Sequence, residues 1–448
     1  MEKHSVIVWF RRDLRVADNP ALAEAAAAGA VVPVYIWSPE EDGEWAPGDA
    51  ARWWLARSLE ALGRDLQRRG GRLIVRRGPS LDALRELTQE TGARGVYWNR
   101  LYEPAAIARD KKVERELVRD GLEVKTFNAS LLIEPDELRT KQGGVYRVFT
   151  PFWRAVMERV GECNFEFQSK LKFELRTENA LRGENVNIPC RFEPKRPADW
   201  IPGEAGAKKQ LDRFIKNHLE NYPVGRDRPD WDGTSRLSPH LHFGEIGPRQ
   251  VVGRVCDPAL NPGVGSQARP TTAFIRQLVW REFAHYLLFH FPNTPAEPLR
   301  PEFGKFEWKM DKRKFEAWKQ GRTGYPIVDA GMRQLIETGW MHNRVRMIVA
   351  SFLVKDLMIP WQAGARYFWE TLVDADLANN TLGWQWVAGC GADAAPFFRI
   401  YNPGLQAKKF DPDGEYARRW AGAEIKPIVD HRAAAMAAMA AYRRFKRG

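Results

Sequence analysis

Alternating strand and helix patterns over the first 130 residues constrain the fold of this 448-residue chain more than any other feature. Five short apolar segments are predicted as strands, at 5–10, 31–37, 72–77, 95–99 and 123–127. Amphipathic segments separate them, and this alternation predicts a parallel sheet with helices on both faces. The first strand runs into WFRRDLRVADNP, where no GxGxxG is found. A dinucleotide bound in the Rossmann manner is therefore not expected.

The sequence changes character after residue 130. Charged and proline-containing stretches replace the periodic pattern from about 160, and we interpret 131–205 as an inter-domain connector on the surface. Beyond 206 the strand pattern disappears and long amphipathic helices follow. The predicted fold is thus a Rossmann-like parallel α/β domain at 1–130 followed by an all-helical domain at 206–448.

Charge and cysteine content bear on the partners and the compartment. The net charge of +12, from 69 basic and 57 acidic residues, favours a polyanion such as nucleic acid, although a generic basic enzyme has the same balance. The four cysteines are too scattered for a CxxC pair, a zinc site or a disulfide framework. The longest apolar stretch, AAAAGAVVPVYIW, is too short to span a membrane, and no secretory signal precedes the first strand. We therefore expect a cytoplasmic protein without a membrane partner.

The segment DADLANNTLGWQW, residues 374–386, has unusual hydrogen-bonding capacity for a sequence with apolar flanks. Buried polar groups are costly unless they are satisfied, so these side chains either bond to one another or contact a large polar ligand. Two carboxylates, Asp374 and Asp376, also raise the alternative of a metal site. No histidine or third carboxylate is near them in the sequence, and no metal is expected.

Three further segments carry polar groups in places where a pocket would use them. Thr234, Ser235 and Ser238 precede a proline-led helix start, where they either cap the helix or bind phosphate, and Arg236 favours an anion. In FIRQLVWREFAHYLLFHF a Gln–Trp–Arg ridge shares one helix face, which suits either an inter-helix contact or a cavity for a flat aromatic group. The stretch TGWMHNRVRM interrupts two apolar helices as a solvated turn or a pocket rim.

Taken together, these strings resemble the photolyase/cryptochrome flavoproteins over nearly the full chain. The strings that carry the resemblance are WFRRDLRVADNPAL, GTSRLSP, WREF, GRTGYPIVDAGMRQL, TGWMHNRVRM, DADLANNTLGWQW and DAAPFFRIYNP. The C-terminal motifs are similar to those of cyclobutane pyrimidine dimer (CPD) photolyases. WSPEEDG and ARWWLARSL are more similar to plant cryptochromes and the bacterial photolyases related to them. The first domain would then be the antenna domain.

The resemblance implies a folded FAD in the helical domain. The residues that it implies for FAD binding are Tyr222, Thr234, Ser235, Arg236, Leu237, Ser238, Trp280, Arg281, Asn343, Arg346, Asp374, Asp376 and Asn380. In the same pattern, Asp374 and Asp376 meet the ribose and ring edge, and Asn380 is placed at flavin N5. A neutral amide there tolerates the reduced anionic flavin, which a carboxylate would repel.

The resemblance also implies an electron-transfer route and a lesion pocket. Trp384, Trp361 and Trp308 match the family's tryptophan chain, in order from the flavin to solvent. Trp280 and Trp386 match the aromatics that enclose the flipped-out dimer, and stacking on them would offset the cost of extrusion. Further residues expected to contact UV-damaged DNA are Gln277, Met347, Arg226, Arg344 and Arg399. We expect the protein to act as a monomer.

Two positions depart from the family pattern. CPD photolyases commonly carry glutamate where this chain has Gln277, and an amide cannot supply a proton to the lesion. Repair is therefore expected with reduced efficiency. Ala105 and Ala106 replace polar ligands of one type of folate-binding photolyase, so no folate is expected in that cleft. A folate or deazaflavin elsewhere on the first domain, or no antenna at all, stays open.

Two functions follow as hypotheses. The first is light-driven splitting of pyrimidine dimers by electron transfer from reduced FAD. The second is a cryptochrome-type blue-light photoreceptor that signals through flavin photoreduction. Asn380, Trp280, Trp386 and Met347 favour repair, and Gln277 mildly favours the photoreceptor. Repair of the (6-4) photoproduct is less expected, because His342 belongs to a motif that the CPD enzymes share.

Overall fold

The computed structural model describes residues 4–162, 188–195, 200–257, 269–420, 422 and 425–447. Cys163 and part of the predicted connector lie outside these residues. The first domain contains a five-stranded parallel sheet in the order β3-β2-β1-β4-β5. Its strands are β1 (Val6–Phe10), β2 (Val31–Trp37), β3 (Ile74–Arg77), β4 (Gly95–Asn99) and β5 (Glu123–Phe127). The five predicted strands are confirmed.

Helices cover both faces of this sheet, which explains why its central strands are continuous apolar runs. These helices are α1 (Pro20–Ala28), α2 (Asp49–Gln67), α3 (Ser80–Thr91) and α4 (Pro104–Arg119), with 3-10 turns at Pro39–Trp45 and Pro135–Glu137. The register aligns Val6 of β1 with Val31 on one side and Gly95 on the other. α1 begins where the Asn19 side chain accepts from the Leu22 amide at 3.1 Å and proline follows.

The second domain is helical throughout its described residues, as predicted. Its helices are α5 (Phe149–Glu162), α6 (Glu204–Asn217), α7 (Tyr222–Gly225), α8 (Ser238–His242), α9 (Pro248–Cys256), α10 (Arg269–His290), α11 (Lys312–Lys319), α12 (Pro326–Thr338), α13 (Asn343–Ser351), α14 (Trp361–Thr371), α15 (Leu377–Ala388), α16 (Pro403–Phe410), α17 (Glu415–Trp420) and α18 (His431–Arg447). A 3-10 turn at Pro301–Lys305 and a π-helical turn at Phe352–Asp356 complete the set.

The structure differs from the predicted connector at α5, which lies within 131–205 and packs against α10. Phe149, Phe152 and Val156 of α5 are buried on one helix face. The Phe149 ring stacks on Trp280, with centroids 3.7 Å apart and planes 4° from parallel. Further apolar residues of α5 are partly buried against the same core, and Pro151 and Arg154 interrupt the apolar pattern in the sequence. The helical domain therefore includes a segment that precedes residue 206.

A buried carboxylate joins the two domains. Glu245, which is fully buried, accepts hydrogen bonds from Trp54 Nε1 at 3.0 Å, Ser58 Oγ at 2.6 Å and the Gly203 amide at 2.7 Å. His240 contacts its second oxygen. Since Trp54 and Ser58 belong to α2, this network fixes the first domain against the second. Among the described residues, we find no helix of sufficient length and apolarity to cross a bilayer.

Candidate active site

The predicted site residues are brought together by helices that pack around α15. α10, α13 and α14 contact α15 directly, and α7 contacts α10. α15 begins where the Asp376 side chain accepts from the Asn379 amide at 2.8 Å, and it ends at Gly389 in the left-handed conformation, with φ of 87°. One face of α15 is buried in the core. The other face, with Asn380, Gly383 and Trp386, keeps access to solvent. The helices that pack around α15 thus leave one of its faces accessible to a ligand.

The side chain of Asn380 has a defined orientation on this surface. Its Nδ2 donates to the Ala365 carbonyl at 2.9 Å, so Oδ1 is the group left to accept a hydrogen bond from a ligand. Asn343 is exposed at the start of α13, and Arg346, one turn further, donates to both oxygens of Asp374 at 3.0 and 2.8 Å. These groups suit a large, flat, polar ligand such as FAD.

The predicted phosphate-binding loop adopts a special backbone conformation. Arg236 has φ of +50°, which is uncommon for a residue with a side chain. A Cβ on Gly233 would lie 2.7 Å from Cα of Gly225, so only glycine allows the 222–226 and 232–238 segments to approach this closely. No side-chain hydroxyl caps α8, since its N-cap position, Leu237, has no side-chain hydrogen bond. The simple N-cap interpretation of this motif is therefore not supported.

The neighbours of this loop are consistent with an anion site. Thr234 and Ser235 are half-buried and Ser238 is exposed, so their hydroxyls are accessible to a ligand. Tyr222 is buried between Phe214 and Phe274, and burial raises the pKa of its phenol to about 12. The phenol is therefore a neutral hydrogen-bonding group at ordinary pH.

Two predicted cofactor contacts are occupied by protein groups. Arg281 donates to the Ser130 carbonyl at 2.7 Å. Asp376 Oδ1 caps α15, and its Oδ2 faces His285 Nε2 at 3.3 Å and His242 Nδ1 at 3.6 Å. We expect any contact of Asp376 with the flavin to be made by its main chain.

Of the three tryptophans of the predicted electron-transfer chain, only the one expected nearest to solvent is partly exposed. Trp384 and Trp361 are buried, whereas Trp308 is half-buried. The Lys309 amide, next to Trp308, donates to the Met358 carbonyl at 2.8 Å, which brings it close to the start of α14, where Trp361 stands. Trp318, which was not predicted, lies edge-on to Trp384 with centroids 6.3 Å apart. Nothing in the sequence around Trp318 distinguished it from an ordinary core tryptophan.

The predicted lesion residues form contacts with one another. Arg226 Nη2 donates to Gln277 Oε1 at 3.0 Å, although the two positions are 51 residues apart. Arg344 pairs with Asp227 and its Nη1 lies 3.7 Å from the Met347 sulfur. Arg399 is exposed. Trp280 and Trp386 are both half-buried and stand on the adjacent helices α10 and α15.

His342 is a poor proton donor at this site. It is buried at the start of α13, where its Nδ1 accepts from the Arg344 amide at 3.2 Å. Burial, reinforced by Arg344, lowers the pKa of His342 to about 3. The ring is therefore neutral at physiological pH, which gives no support to the His-dependent chemistry of the (6-4) alternative.

Besides the surface around α15, a cavity of about 490 Å³ lies between the two domains. Its wall includes Ala105 and Ala106, the positions where a folate was not expected, and the aromatic side chains of Trp9, Trp37 and Trp45. This volume is in the range of small-molecule sites. The two alanines remove polar ligands from the wall but leave an aromatic-lined space.

Comparisons with known proteins agree with the geometry. Residues 6–169 match the family model described as DNA photolyase, and residues 274–426 match that of the FAD binding domain of DNA photolyase. A deoxyribodipyrimidine photo-lyase of Agrobacterium fabrum is 44% identical over 99% of this chain and 98% of its own length. Cryptochrome-1 of Arabidopsis thaliana is 41% identical over 92% of this chain but only 62% of its own length. A crystal structure of a bacterial class III photolyase from Agrobacterium tumefaciens has a TM-score of 0.93 and 44% identity, covering 100% of this chain and 99% of that one.

Proposed function

Because this chain belongs to the DNA photolyase family, we propose that it is a light-dependent DNA repair enzyme that splits cyclobutane pyrimidine dimers. The observation that carries this proposal is the arrangement of α10 and α15. These adjacent helices present Gln277 and Trp280 from one side and Asn380 and Trp386 from the other. A flavin-binding surface and an aromatic pocket for two joined pyrimidine bases are thus neighbours.

Asn380 and the Arg346–Asp374 pair determine which charge state of the bound flavin the site favours. FAD bound here, when reduced and excited by blue light, would supply the electron that opens the cyclobutane ring and would take it back once the two pyrimidines have separated. Asn380 Oδ1 is oriented to accept from a protonated ring nitrogen, because Nδ2 is held by the Ala365 carbonyl. Arg346 brings positive charge to the cavity, and its bond to Asp374 fixes its position. The neutral amide and this cation together suit a reduced, anionic ring system.

The residues around Gln277 bind and orient the damaged DNA. Trp280 and Trp386 stack on the extruded bases, which offsets about 1–3 kcal/mol of the extrusion cost per base. Arg226, Arg344 and Arg399 neutralise backbone phosphates, a contribution that does not depend on sequence. Holding the lesion in place before the photon arrives means that positioning is complete when the electron moves.

The inter-domain cavity is the place that we propose for an antenna chromophore. Its aromatic wall would stack on a flat ring system, while the arginines of the wall, Arg11, Arg12 and Arg109, are paired with carboxylates. The chemistry of the wall does not distinguish a folate from a flavin-like molecule. We also propose a monomer in the cytoplasm, and the three described cysteines, all free, suit a reducing compartment.

Illumination of the photoreduced protein with a CPD-containing oligonucleotide tests the proposed function. We expect the absorbance of intact thymines to recover in the light and to stay unchanged in the dark. Undamaged oligonucleotide serves as the control for binding without chemistry. Flavin photoreduction through the tryptophans without any recovery of thymine would favour the photoreceptor instead, and would contradict repair.

A further inference from the structure

Four ligand-type side chains from both domains form one buried cluster, and three of them bring their donor atoms to a common point. The group consists of Glu103, His242, His285 and Asp376, whose exposed fractions are 9%, 8%, 4% and 7%. Single donor atoms of Glu103, His285 and Asp376 all lie within 4.8 Å of one another. Glu103 precedes α4 in the first domain, whereas the other three belong to the helical domain. The neighbours of Asp376 along the chain gave no indication of a metal site, but folding brings two histidines and a third carboxylate to it.

The hydrogen bond of His285 fixes which of its nitrogens faces the cluster. Its Nδ1 lies 3.0 Å from the Arg281 carbonyl, and a carbonyl can only accept, so Nδ1 carries the hydrogen. Nε2 is then the nitrogen that faces Asp376 Oδ2. Donation of the second ring N–H to a backbone carbonyl is the arrangement that orients metal-ligating histidines.

The separations between these atoms match metal ligands better than hydrogen-bond partners. Asp376 Oδ2 is 3.3 Å from His285 Nε2 and 3.6 Å from His242 Nδ1, and His242 Nδ1 has no hydrogen-bond partner within the described part of the chain. Charge-assisted hydrogen bonds are shorter, at about 2.7–2.9 Å. Ligands of a tetrahedral zinc ion, each about 2.1 Å from the metal, stand about 3.4 Å apart.

The charge of the cluster also calls for a cation. Arg12 pairs with Glu103 and compensates one of the two carboxylates. Among the described residues Asp376 forms no ion pair with an arginine or lysine, and its Oδ2 faces only the two imidazoles. A carboxylate buried without a cation beside it is costly in a protein interior.

We propose that Glu103, His285 and Asp376 bind a divalent d-block cation of the zinc class that joins the antenna domain to the helical domain, with His242 beside Asp376. An imidazole and two carboxylates form a donor set that suits such an ion. The ion would hold Asp376, and with it the first turn of α15, against Glu103 of the first domain. This site is distinct from the lesion pocket and ion binding needs no light-driven step, although the main chain of Asp376 is expected to contact the flavin.

Metal content of the tag-free, flavin-containing protein tests the proposal. After equilibration with Zn²⁺ and removal of excess, we expect one tightly held equivalent per chain, and substitution by Co²⁺ should give the visible bands of a tetrahedral site. His285→Gln and Glu103→Gln should each weaken Zn²⁺ binding about tenfold or more. His431→Gln is the matched control, because it removes an imidazole paired with the buried Asp356 at a distant site and should keep the ion.

The possible results distinguish a bound metal ion from a protonated imidazole as the positive charge beside Asp376. If the folded wild type takes up no Zn²⁺ or Co²⁺ while retaining its flavin, an imidazolium balances the cluster and the proposal is wrong. Equal binding by wild type and both variants would place the ion elsewhere. If His285→Gln does not fold, Glu103→Gln and the Co²⁺ spectrum of the wild type decide the question. Asp376 is left unchanged because it also caps α15.

Discussion

At the scale of single residues, Gln277 determines what the lesion pocket can donate. Its Oε1 is held by Arg226 at 3.0 Å, and its Nε2 lies 3.4 Å from the Ala273 carbonyl. An amide donates hydrogen bonds but gives up no proton. We expect Gln277→Glu to raise the quantum yield of dimer splitting, since the carboxyl would keep the pairing with Arg226 and add an acidic group. The measurement is repair per absorbed photon with fully reduced flavin, and an unchanged yield would mean that proton supply is not limiting.

Lys355 is a second residue whose environment has a measurable consequence. It is buried in the π-helical turn, where Nζ donates to the Ala388 and Phe397 carbonyls at 3.3 and 3.2 Å. Burial lowers its pKa from the ordinary 10.5 to about 7. Between these two values the unfolded chain binds the proton and the folded protein does not, so stability gains with rising pH.

The prediction for Lys355 concerns a pH slope. Relative to Lys355→Met, the free energy of unfolding of the wild type should rise by about 1.4 kcal/mol per pH unit between about pH 7 and 10, and stay level below pH 7. Urea unfolding of both proteins at pH 6, 7 and 9 measures the difference in the free energy of unfolding. The contributions of the titratable groups that both proteins share cancel in this difference. Parallel curves for the two proteins would show that the lysine titrates at its usual value.

At the scale of secondary-structure elements, the contact between α14 and α15 depends on Gly364. A Cβ at this position would lie 2.1 Å from Cη2 of Trp384. We expect Gly364→Ala to displace the indole, to destabilise the protein by about 1–3 kcal/mol and to slow flavin photoreduction. The helical Gly63 has nothing within 4 Å of an added Cβ, so Gly63→Ala should be neutral or stabilising by up to about 1 kcal/mol. Urea unfolding and the rate of flavin photoreduction are measured for both variants. Equal effects of the two substitutions would show that the close contact of Gly364 with Trp384 is not important.

At the scale of the whole molecule, the network around Glu245 holds the two domains together. Removing its carboxylate leaves Trp54 Nε1, Ser58 Oγ and the Gly203 amide buried without an acceptor. Glu245→Ala should therefore cost about 3–5 kcal/mol of stability. Glu137→Ala removes an exposed carboxylate whose ion pair with Arg159 is long, at 3.7 Å. This variant should change the free energy of unfolding by less than about 1 kcal/mol. Urea midpoints test this, and similar losses in both variants would show that burial of Glu245 is not decisive.

Local periodicity made much of this fold predictable. The strands of the first domain are buried on both faces, so their apolar runs are visible without knowledge of their neighbours. The helix α5 escaped prediction because its apolar pattern is interrupted and its apolar face packs against α10, a partner far along the chain. The domain limits and the predicted site residues remain predictions, although the structure brings most of the latter to helices around α15.

The sequence by itself determined the α/β-then-helical architecture, the loop motifs and the residue types of a flavin site, because these depend on local patterns and on contiguous strings. Only the tertiary structure decided which groups compensate one another over long separations. Arg226 donates to Gln277, and Glu245 accepts hydrogen bonds from the first domain. His242, His285 and Glu103 lie close to Asp376. Such contacts depend on how helices far apart in the chain pack together, and burial then gives them their energetic weight, since unpaired polar groups are costly only where water is excluded.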